Sequence, residues 1–310
     1  TINQIIQVMK TTTTQFTSYG NLAIVQFTVE PFATFPFSPG VPELKTGGLV
    51  ITEATGAGIV GTLTAINNTG SYLLLTDADV LTGAKQNRVL NKSVLLNPMS
   101  KTPLDVSCVE RRRWHYTSGN FDNSGNVADP DLRREKASPS ASGMRVDGFG
   151  MDDTQMRVWD HVRFKMSMMN FESSTESYSE LQEFRMNEKR REFPECEPEK
   201  ESNGIAVFMD SKVLCADIFG TKEVYQYYFP MLRDSAFRMA QTGRSQKSPD
   251  KHEAFYKVME AIDNLGTASR RPEETYRGSG LFSIAENDSM VGFELTMLGQ
   301  MIHSAVFARQ

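Results

Sequence analysis

The hydrophobic pattern of the chain predicts strands in its first third. The tetrad Thr11 to Thr14 favours an extended backbone, and the Pro- and Phe-rich stretch 31–43 cannot hold a regular helix, so an ordered loop is expected there. Short apolar runs bounded by turn residues, such as Asn67-Asn68-Thr69-Gly70, are typical of strands. Such runs occupy residues 21–29, 49–51, 58–67 and 71–75.

The pattern changes to helical spacing after residue 150. Trp159, Val162 and Met166 recur on one helical face. Ser173 and Glu176 have the spacing of a capping box, which predicts that a second helix begins there. The helices expected on this basis cover residues 151–170, 173–191, 221–240 and 253–265.

Strands return in the last third of the chain. Two apolar runs flank Asp210-Ser211, which predicts a hairpin over residues 204–219. Three closing strands are expected at residues 280–286, 289–297 and 301–308. Residues 1–10 fit either a strand or a short helix.

These elements predict an α+β fold, with a β-rich N-terminal third, central helices, a ββα unit and closing C-terminal strands. Residues 1–118 form the β-rich region. Residues 119–150, rich in Gly, Ser, Asn, Asp and Pro, are expected to be an irregular connection with one helical turn at 131–136. Residues 151–310 form the helical and ββα region, which we expect to pack with the first into one compact domain.

Composition restricts the function classes. The hydrophobic content of 39% and charged content of 23% are ordinary for a globular protein. The net charge of −5 gives no reason to expect a nucleic-acid or membrane partner. Three cysteines argue against a disulfide framework. Because the chain also shows neither a signal-peptide pattern nor an apolar stretch near the roughly 20 residues of a membrane span, a cytoplasmic location is expected.

The most informative chemistry lies in the central stretch 73–114, where a polar segment separates two apolar runs. We expect this segment to be the tip of a strand–loop–strand unit. Lys and Arg side chains would contact phosphates, and Gln and Asn amides would pair with a base edge or ribose hydroxyls. The candidate ligand-binding residues are Asp77, Asp79, Lys85, Gln86, Asn87 and Arg88, with Glu110, Arg113 and Trp114 as a second wall.

Several alternatives stay open at this point. The polar segment would equally form a structural turn whose charges neutralise one another, and neither phosphate-loop nor dinucleotide-binding spacing is present in it. Trp114 would stack on a base or anchor the core. Cys108 lies close to three arginines, which would favour a thiolate, although alternation with Val106 predicts burial.

Catalytic and metal chemistry have less support. Asp77, Asp79 and Cys108 are the weak catalytic candidates. The four histidines are scattered and no zinc-ligand spacing occurs, so no metal ligands are assigned. A magnesium site at Asp77 and Asp79 stays open as the one cofactor alternative.

The stretches Asp77-Ala78-Asp79, 83–91 and 106–110 with Trp114, together with segments near 204–219 and around His303, resemble the ARG and rhodanese-phosphatase-superfamily-associated protein family of bacteria and phages. The resemblance covers roughly residues 19–307, and the central stretch is its most specific part. The family's usual Asp-Gly-Glu is replaced here by Asp77-Ala78-Asp79, which keeps both acids. Genes of this family are associated with ADP-ribosylglycohydrolases and other enzymes of NAD-derived metabolites. The resemblance therefore implies a nucleotide or ADP-ribose-like ligand.

The leading hypothesis is a protein that binds an NAD- or ADP-ribose-derived nucleotide. The first alternative is a hydrolase or phosphoesterase acting on such a ligand, with Asp77 or Asp79 as base or metal ligand. The second is a homo-oligomeric assembly protein that binds no small ligand and uses the polar tip as a subunit contact.

Overall fold

A computed structural model describes residues 10–56, 58–137, 153–240 and 250–309. The strands are β1 (Lys10–Tyr19), β2 (Leu22–Glu30), β3 (Ser38–Pro39), β4 (Leu49–Glu53), β5 (Thr62–Asn67), β6 (Leu73–Leu75), β7 (Asp79–Gly83), β8 (Arg88–Leu90), β9 (Val94–Leu96), β10 (Ser100–Cys108), β11 (Phe121–Val127), β12 (Gly204–Met209), β13 (Lys212–Phe219), β14 (Ser269–Pro272), β15 (Leu281–Glu286), β16 (Met290–Met297) and β17 (Gln300–Ala308). The helices are α1 (Pro42–Thr46), α2 (Pro130–Ala137), α3 (Asp153–Met168), α4 (Tyr178–Lys189), α5 (Lys222–Met239) and α6 (Lys251–Thr267). Within these ranges, no helix combines the length and the apolar character needed to cross a membrane.

The largest sheet has eight antiparallel strands in the order β1-β2-β12-β13-β17-β16-β15-β14. Helices cover both faces of its middle, as the alternation along β2 shows. Leu22 and Ile24 pack in the core that contains the apolar face of α5. Ala23 and Val25 point the other way, into the core formed with α6. Burial on both faces explains why β2 begins as an unbroken apolar run.

The middle of the chain forms two further sheets. One has six antiparallel strands in the order β11-β7-β8-β10-β5-β4, and the other has three strands in the order β3-β6-β9. They share a core that includes Leu63, Leu75 and Leu104. Leu74 turns instead towards the α5 core. Strand β6 therefore joins the two parts of the molecule.

Helices α2, α3 and α4 close the outer side of strands β7 and β8. Val80 of β7 and Val89 of β8 pack with Leu132, Val158 and Tyr178 from these helices. The candidate polar segment lies between those two strands, so it is covered by helices on one side and by a core on the other.

The α+β class is confirmed, as are its β-rich beginning, the hairpin β12–β13, helices α5 and α6 and the three closing strands. Helix α4 begins later than expected. Its cap is Ser177, whose hydroxyl accepts from the Glu180 backbone N–H, whereas the Ser173 hydroxyl accepts from the N–H of Ser177. The stretch 31–43 contains the short elements β3 and α1. The expectations for residues 1–9 fall outside the described residues.

The expected irregular connection at 119–150 is in part regular. It contains strand β11 and the eight-residue helix α2, while residues 138–152 lie outside the described ranges. Strand β11 has no apolar alternation because only its two ends, Phe121 and Val127, are buried. Helix α2 buries charged side chains, Arg133 and Lys136, beside Leu132. Neither element therefore shows the apolar pattern by which strands and helices are predicted.

Candidate functional site

The predicted polar tip is a tight turn whose side chains point mostly inward. Strands β7 and β8 leave only residues 84–87 as the connection, with Ala84 in a left-handed conformation (φ 40°). The expectation of an exposed tip is wrong for most of its residues, since elements pack on both sides of it. Asp77, Asp79, Gln86, Asn87 and Arg88 are all buried. Lys85 is the residue of this set that keeps partial exposure.

The structure divides the predicted site into two groups. We call the first the basic-aromatic cluster, comprising Lys85, Gln86, Asn87, Arg88, Glu110, Arg113 and Trp114 together with Glu53 and Tyr116. We call the second the inter-sheet network, comprising Asp77, Ser93, Arg133, Lys136, Asp217 and His303. Asp79 belongs to neither group and bonds to Thr76 and Tyr228.

The exposed part of the basic-aromatic cluster is a lysine between two rings. The Lys85 ammonium lies 5.2 Å from the Trp114 ring centroid and 5.1 Å from that of Tyr116. Trp114 is 46% exposed and Tyr116 50% exposed, so Trp114 does not anchor the core. Gly58 packs against both Lys85 and Trp114 at a φ of +79°, a conformation that favours glycine.

The buried part of the cluster holds the turn in shape. Arg113 pairs with the Glu110 carboxylate at 2.6 Å and donates to Asn87 Oδ1 at 3.0 Å. The same carboxylate accepts from the Asn87 backbone N–H, and the Gln86 amide donates to the Glu110 carbonyl. These four predicted residues therefore satisfy one another, as the structural alternative expected.

Arg88 is the exception in this buried set. Its Nη1 donates to Gln86 Oε1 at 2.9 Å, but Nε and Nη2 have no hydrogen-bond partner among the described residues. Glu53 Oε1 lies 4.0 Å from Nη2, and the second Glu53 oxygen is likewise without a partner in the described part of the chain. Burial lowers the pKa of Arg88, and the nearby Glu53 charge opposes this effect. The guanidinium lies 6.0 Å from the Trp114 ring.

Glu53 was not predicted as a site residue, although the alternation of buried positions along β4 points to it. In β4 the inward positions alternate as Leu49, Ile51 and Glu53. An acid in register with two core residues must meet a polar partner inside the protein, because an unpaired buried charge is costly. Its Oε1 accepts from the Lys85 backbone N–H at 3.3 Å, which ties β4 to the β7–β8 turn.

Cys108 does not have the environment of an activated thiol. It lies opposite Arg88 in the register of β10 with β8 and is fully buried. Burial raises the pKa of Cys108, and this effect outweighs the opposing charge of Arg88. Its sulfur accepts from the Glu110 backbone N–H. This arrangement is that of a buried structural cysteine.

The inter-sheet network is centred on Arg133. Its guanidinium makes four hydrogen bonds, two to Asp77 and two to Asp217, at 2.6 to 2.9 Å. Burial raises the pKa of Asp217, but Arg133 and His303 together lower it further, and the resulting pKa is about 2. Lys136 donates to the backbone carbonyls of Asp77 and Leu90, and burial lowers its pKa to about 7.

His303 links the network to the three-stranded sheet. Its Nδ1 lies 2.8 Å from the Ser93 hydroxyl, and its Nε2 lies 3.3 Å from Asp217 Oδ1. Ser93, Asp217 and His303 have the residue types and one of the chain orders of a Ser-His-Asp triad, but the ring nitrogens are reversed, with Nδ1 facing the serine and Nε2 the acid. Ser93 and His303 are both fully buried, and the ring stacks on Phe219 at 4.6 Å. Since no substrate reaches a hydroxyl in this position, the set is structural in this conformation.

The acidic residues around Asp77 are poorly arranged for a magnesium ion. Among the described residues, the ligand atoms of Asp77, Asp217 and His303 lie within 4.8 Å of one another. The Arg133 guanidinium already binds both carboxylates, so a cation would have to displace it. Asp79 is not in this group. Burial raises the pKa of Asp79 to about 7, and its Oδ2 accepts from the Tyr228 hydroxyl at 3.0 Å.

A cavity of about 1080 Å³ lies in another part of the molecule, between the end of β2 and strands β14 to β17. Phe32, Leu281 and Leu298 supply apolar lining. The Arg270 guanidinium there is already bound to Glu294 and to two helix-end carbonyls. The predicted site residues are not among its lining.

Comparison with known proteins identifies the family. No curated protein and no solved structure matches the chain. A family model does match, over residues 10–307, and its description is ARG and Rhodanese-Phosphatase-superfamily-associated Protein domain. The match covers nearly the whole chain and includes both polar groups described above. The chain therefore belongs to the ARG and Rhodanese-Phosphatase-superfamily-associated Protein family.

Proposed function

We propose that this protein binds a nucleotide-type ligand, ADP-ribose or another NAD-derived molecule, on the surface formed by Lys85, Trp114 and Tyr116. The observation that carries the proposal is the lysine ammonium held between two half-exposed rings. An aromatic face stacks on a base for about 1–3 kcal/mol. An ammonium beside it attracts phosphate. Both requirements of a nucleotide are thus met on one accessible surface.

The neighbouring loop adds positive charge to this surface. Arg111 and Arg112 follow β10 and are exposed. Both arginines lie near the Glu176 carboxylate, Arg112 at 2.8 Å and Arg111 at 4.0 Å, and Arg111 also lies over the Trp159 ring at 5.1 Å. In a chain with a net charge of −5, this local excess of positive charge favours an anionic ligand.

Binding is favoured over hydrolysis by the position of the catalytic candidates. Asp77 and Asp79 are only 2% and 0% exposed, and Cys108 is fully buried. The Asp77 carboxylate is also occupied by Arg133. The exposed surface offers charge and aromatic faces for recognition, while the acids needed for chemistry lie in the interior.

All three cysteines are free and buried, which accords with the cytoplasm as the proposed place of action.

Isothermal titration calorimetry of the full chain with ADP-ribose, NAD and AMP, with and without Mg²⁺, tests the proposal. We expect binding without turnover. Trp114→Ala should weaken the affinity about tenfold or more because one stacking face is removed. Lys85→Met should weaken it and reduce its dependence on salt concentration. Lys101→Met, at an exposed position on β10, is the matched control and should bind normally.

Three outcomes would contradict the proposal. Turnover of the ligand would favour the hydrolase alternative. No heat of binding together with a large species in light scattering would favour the assembly alternative. Equal binding by wild type and Trp114→Ala would place the ligand elsewhere on the molecule.

A further inference from the structure

The strongest unexplained feature is a set of buried polar atoms directly beneath the proposed surface. Arg88 Nε, Arg88 Nη2 and Glu53 Oε2 have no hydrogen-bond partner among the described residues. Arg88 is fully buried and Glu53 is buried at the end of β4. Folded proteins pair more than about nine in ten of their buried polar groups. Unpaired atoms of opposite sign on two neighbouring side chains indicate a place for a polar guest.

The charges of the pair restrict what that guest is. A phosphate would be attracted by Arg88 but repelled by Glu53, and an ammonium would meet the reverse. A hydroxyl both donates and accepts, so it satisfies the carboxylate and the guanidinium at once. Arg88 Nη2 and Glu53 Oε1 lie 4.0 Å apart. Because Oε1 already accepts from the Lys85 backbone N–H, the second oxygen, Oε2, is the acceptor open to a hydroxyl that accepts from Arg88.

We propose, resting on the function above, that Glu53 and Arg88 bind a ribose hydroxyl of the nucleotide. The Trp114 ring lies 6.0 Å from the Arg88 guanidinium, so a base stacked on this ring holds its sugar near the pair. Because both side chains are buried, this binding requires the half-exposed Trp114 ring to shift. The hydroxyl donates a hydrogen bond to the Glu53 carboxylate and accepts one from the Arg88 guanidinium. The protein thereby distinguishes ribose-containing nucleotides from other anions that Lys85 attracts.

Calorimetry with AMP and with 2′,3′-dideoxy-AMP tests this role on the unaltered protein. We expect the wild type to bind AMP about tenfold more tightly, since the hydrogen bonds involve charged groups. In Glu53→Gln this preference should fall to about twofold or less, while the affinity for dideoxy-AMP stays the same. Glu260→Gln, at an exposed position of α6, should keep the full preference.

The outcomes separate this inference from the function on which it rests. If the wild type binds both nucleotides equally, or if Glu53→Gln keeps the wild-type preference, the hydroxyl role is wrong although nucleotide binding stands. If no nucleotide binds, the proposed function fails and the inference fails with it. Equal binding of the two ligands by the wild type overturns the hydroxyl role even if Glu53→Gln does not fold. In that case Glu53→Asp, which keeps the charge on a shorter side chain, takes its place and should reduce the preference.

Discussion

At the residue scale, the stability of the protein depends on charges that are buried but paired. Arg133 and Asp217 are almost fully buried and meet at 2.6 Å. Moving each charge out of water costs several kcal/mol, and the pair is tolerated because all four hydrogen bonds of the guanidinium go to carboxylates. Removing one partner of such a pair therefore lowers the free energy of unfolding far more than replacing both partners by apolar residues.

Asp217 should therefore make stability dependent on acid pH. Its pKa is about 2 in the folded protein against an ordinary value of 3.8, so its contribution is present above about pH 4 and is lost as the pH falls towards 2. We expect Asp217→Asn to lower the free energy of unfolding by about 3–5 kcal/mol at pH 7. The difference from wild type should shrink by about 2 kcal/mol between pH 4 and pH 2. Urea denaturation across this range measures both effects.

The matched control is Asp122→Asn, at an exposed position of β11. It should follow the wild type at every pH. A difference between Asp217→Asn and wild type that stays constant down to pH 2 would mean that Arg133 does not stabilise the ionised carboxylate.

Residue types were easier to predict from the sequence than residue environments. Lys85 and Trp114 were assigned to one candidate site from their residue types, and the structure places them side by side. The burial of Arg88 and Asp77 was not predictable, because it depends on Glu53 and Arg133, which are distant in sequence. A charged residue is normally assigned to the surface unless its partner is known.

At the scale of the element, hydrophobic periodicity worked where one face of a helix or strand meets an apolar core. Helix α5 buries Val224, Tyr228 and Leu232 and was expected in nearly its full length. Helix α2 was expected as a single turn because its inward face carries Arg133 and Lys136. The hydrophobic pattern thus predicts helices that bury apolar side chains well, and helices that bury ion-paired side chains poorly.

The beginning of α5 provides a test at this scale. The Thr221 hydroxyl accepts from the Val224 backbone N–H at 3.3 Å and caps the helix. Thr221→Ala should lower the free energy of unfolding by about 1 kcal/mol, because that N–H loses its partner. Thr221→Ser keeps the hydroxyl and should remain within about 0.5 kcal/mol of wild type. Equal effects of the two substitutions in urea denaturation would show that the methyl group, rather than the cap, matters.

At the scale of the whole molecule, Arg133 connects parts that belong to different sheets. Asp217 lies on β13 of the eight-stranded sheet, and Asp77 lies between β6 and β7 of the smaller sheets. The guanidinium from α2 binds both. His303 of β17 and Ser93, just before β9, form a second connection between the same parts.

A double-mutant cycle tests this connection. Arg133→Met should lower the free energy of unfolding by about 3–5 kcal/mol, since it leaves two buried carboxylates without their cation. Asp217→Asn should cost less in the Arg133→Met background than in wild type, with a coupling of about 1–3 kcal/mol. Additive losses in the double variant would show that the two side chains act independently. Arg271→Met, at an exposed position of β14, should have almost no effect.

The strand order of the eight-stranded sheet has a consequence for synthesis on the ribosome. Strand β2 pairs with β12, and the Val29 backbone bonds to Asn203, 174 positions later. At a translation rate of about 5–20 residues per second, the apolar edge of β2 waits roughly 10–30 seconds for its neighbour. During that interval β2 can pair with β1 on one side only, and its other edge stays open to pairing with another chain, which is a route to aggregation.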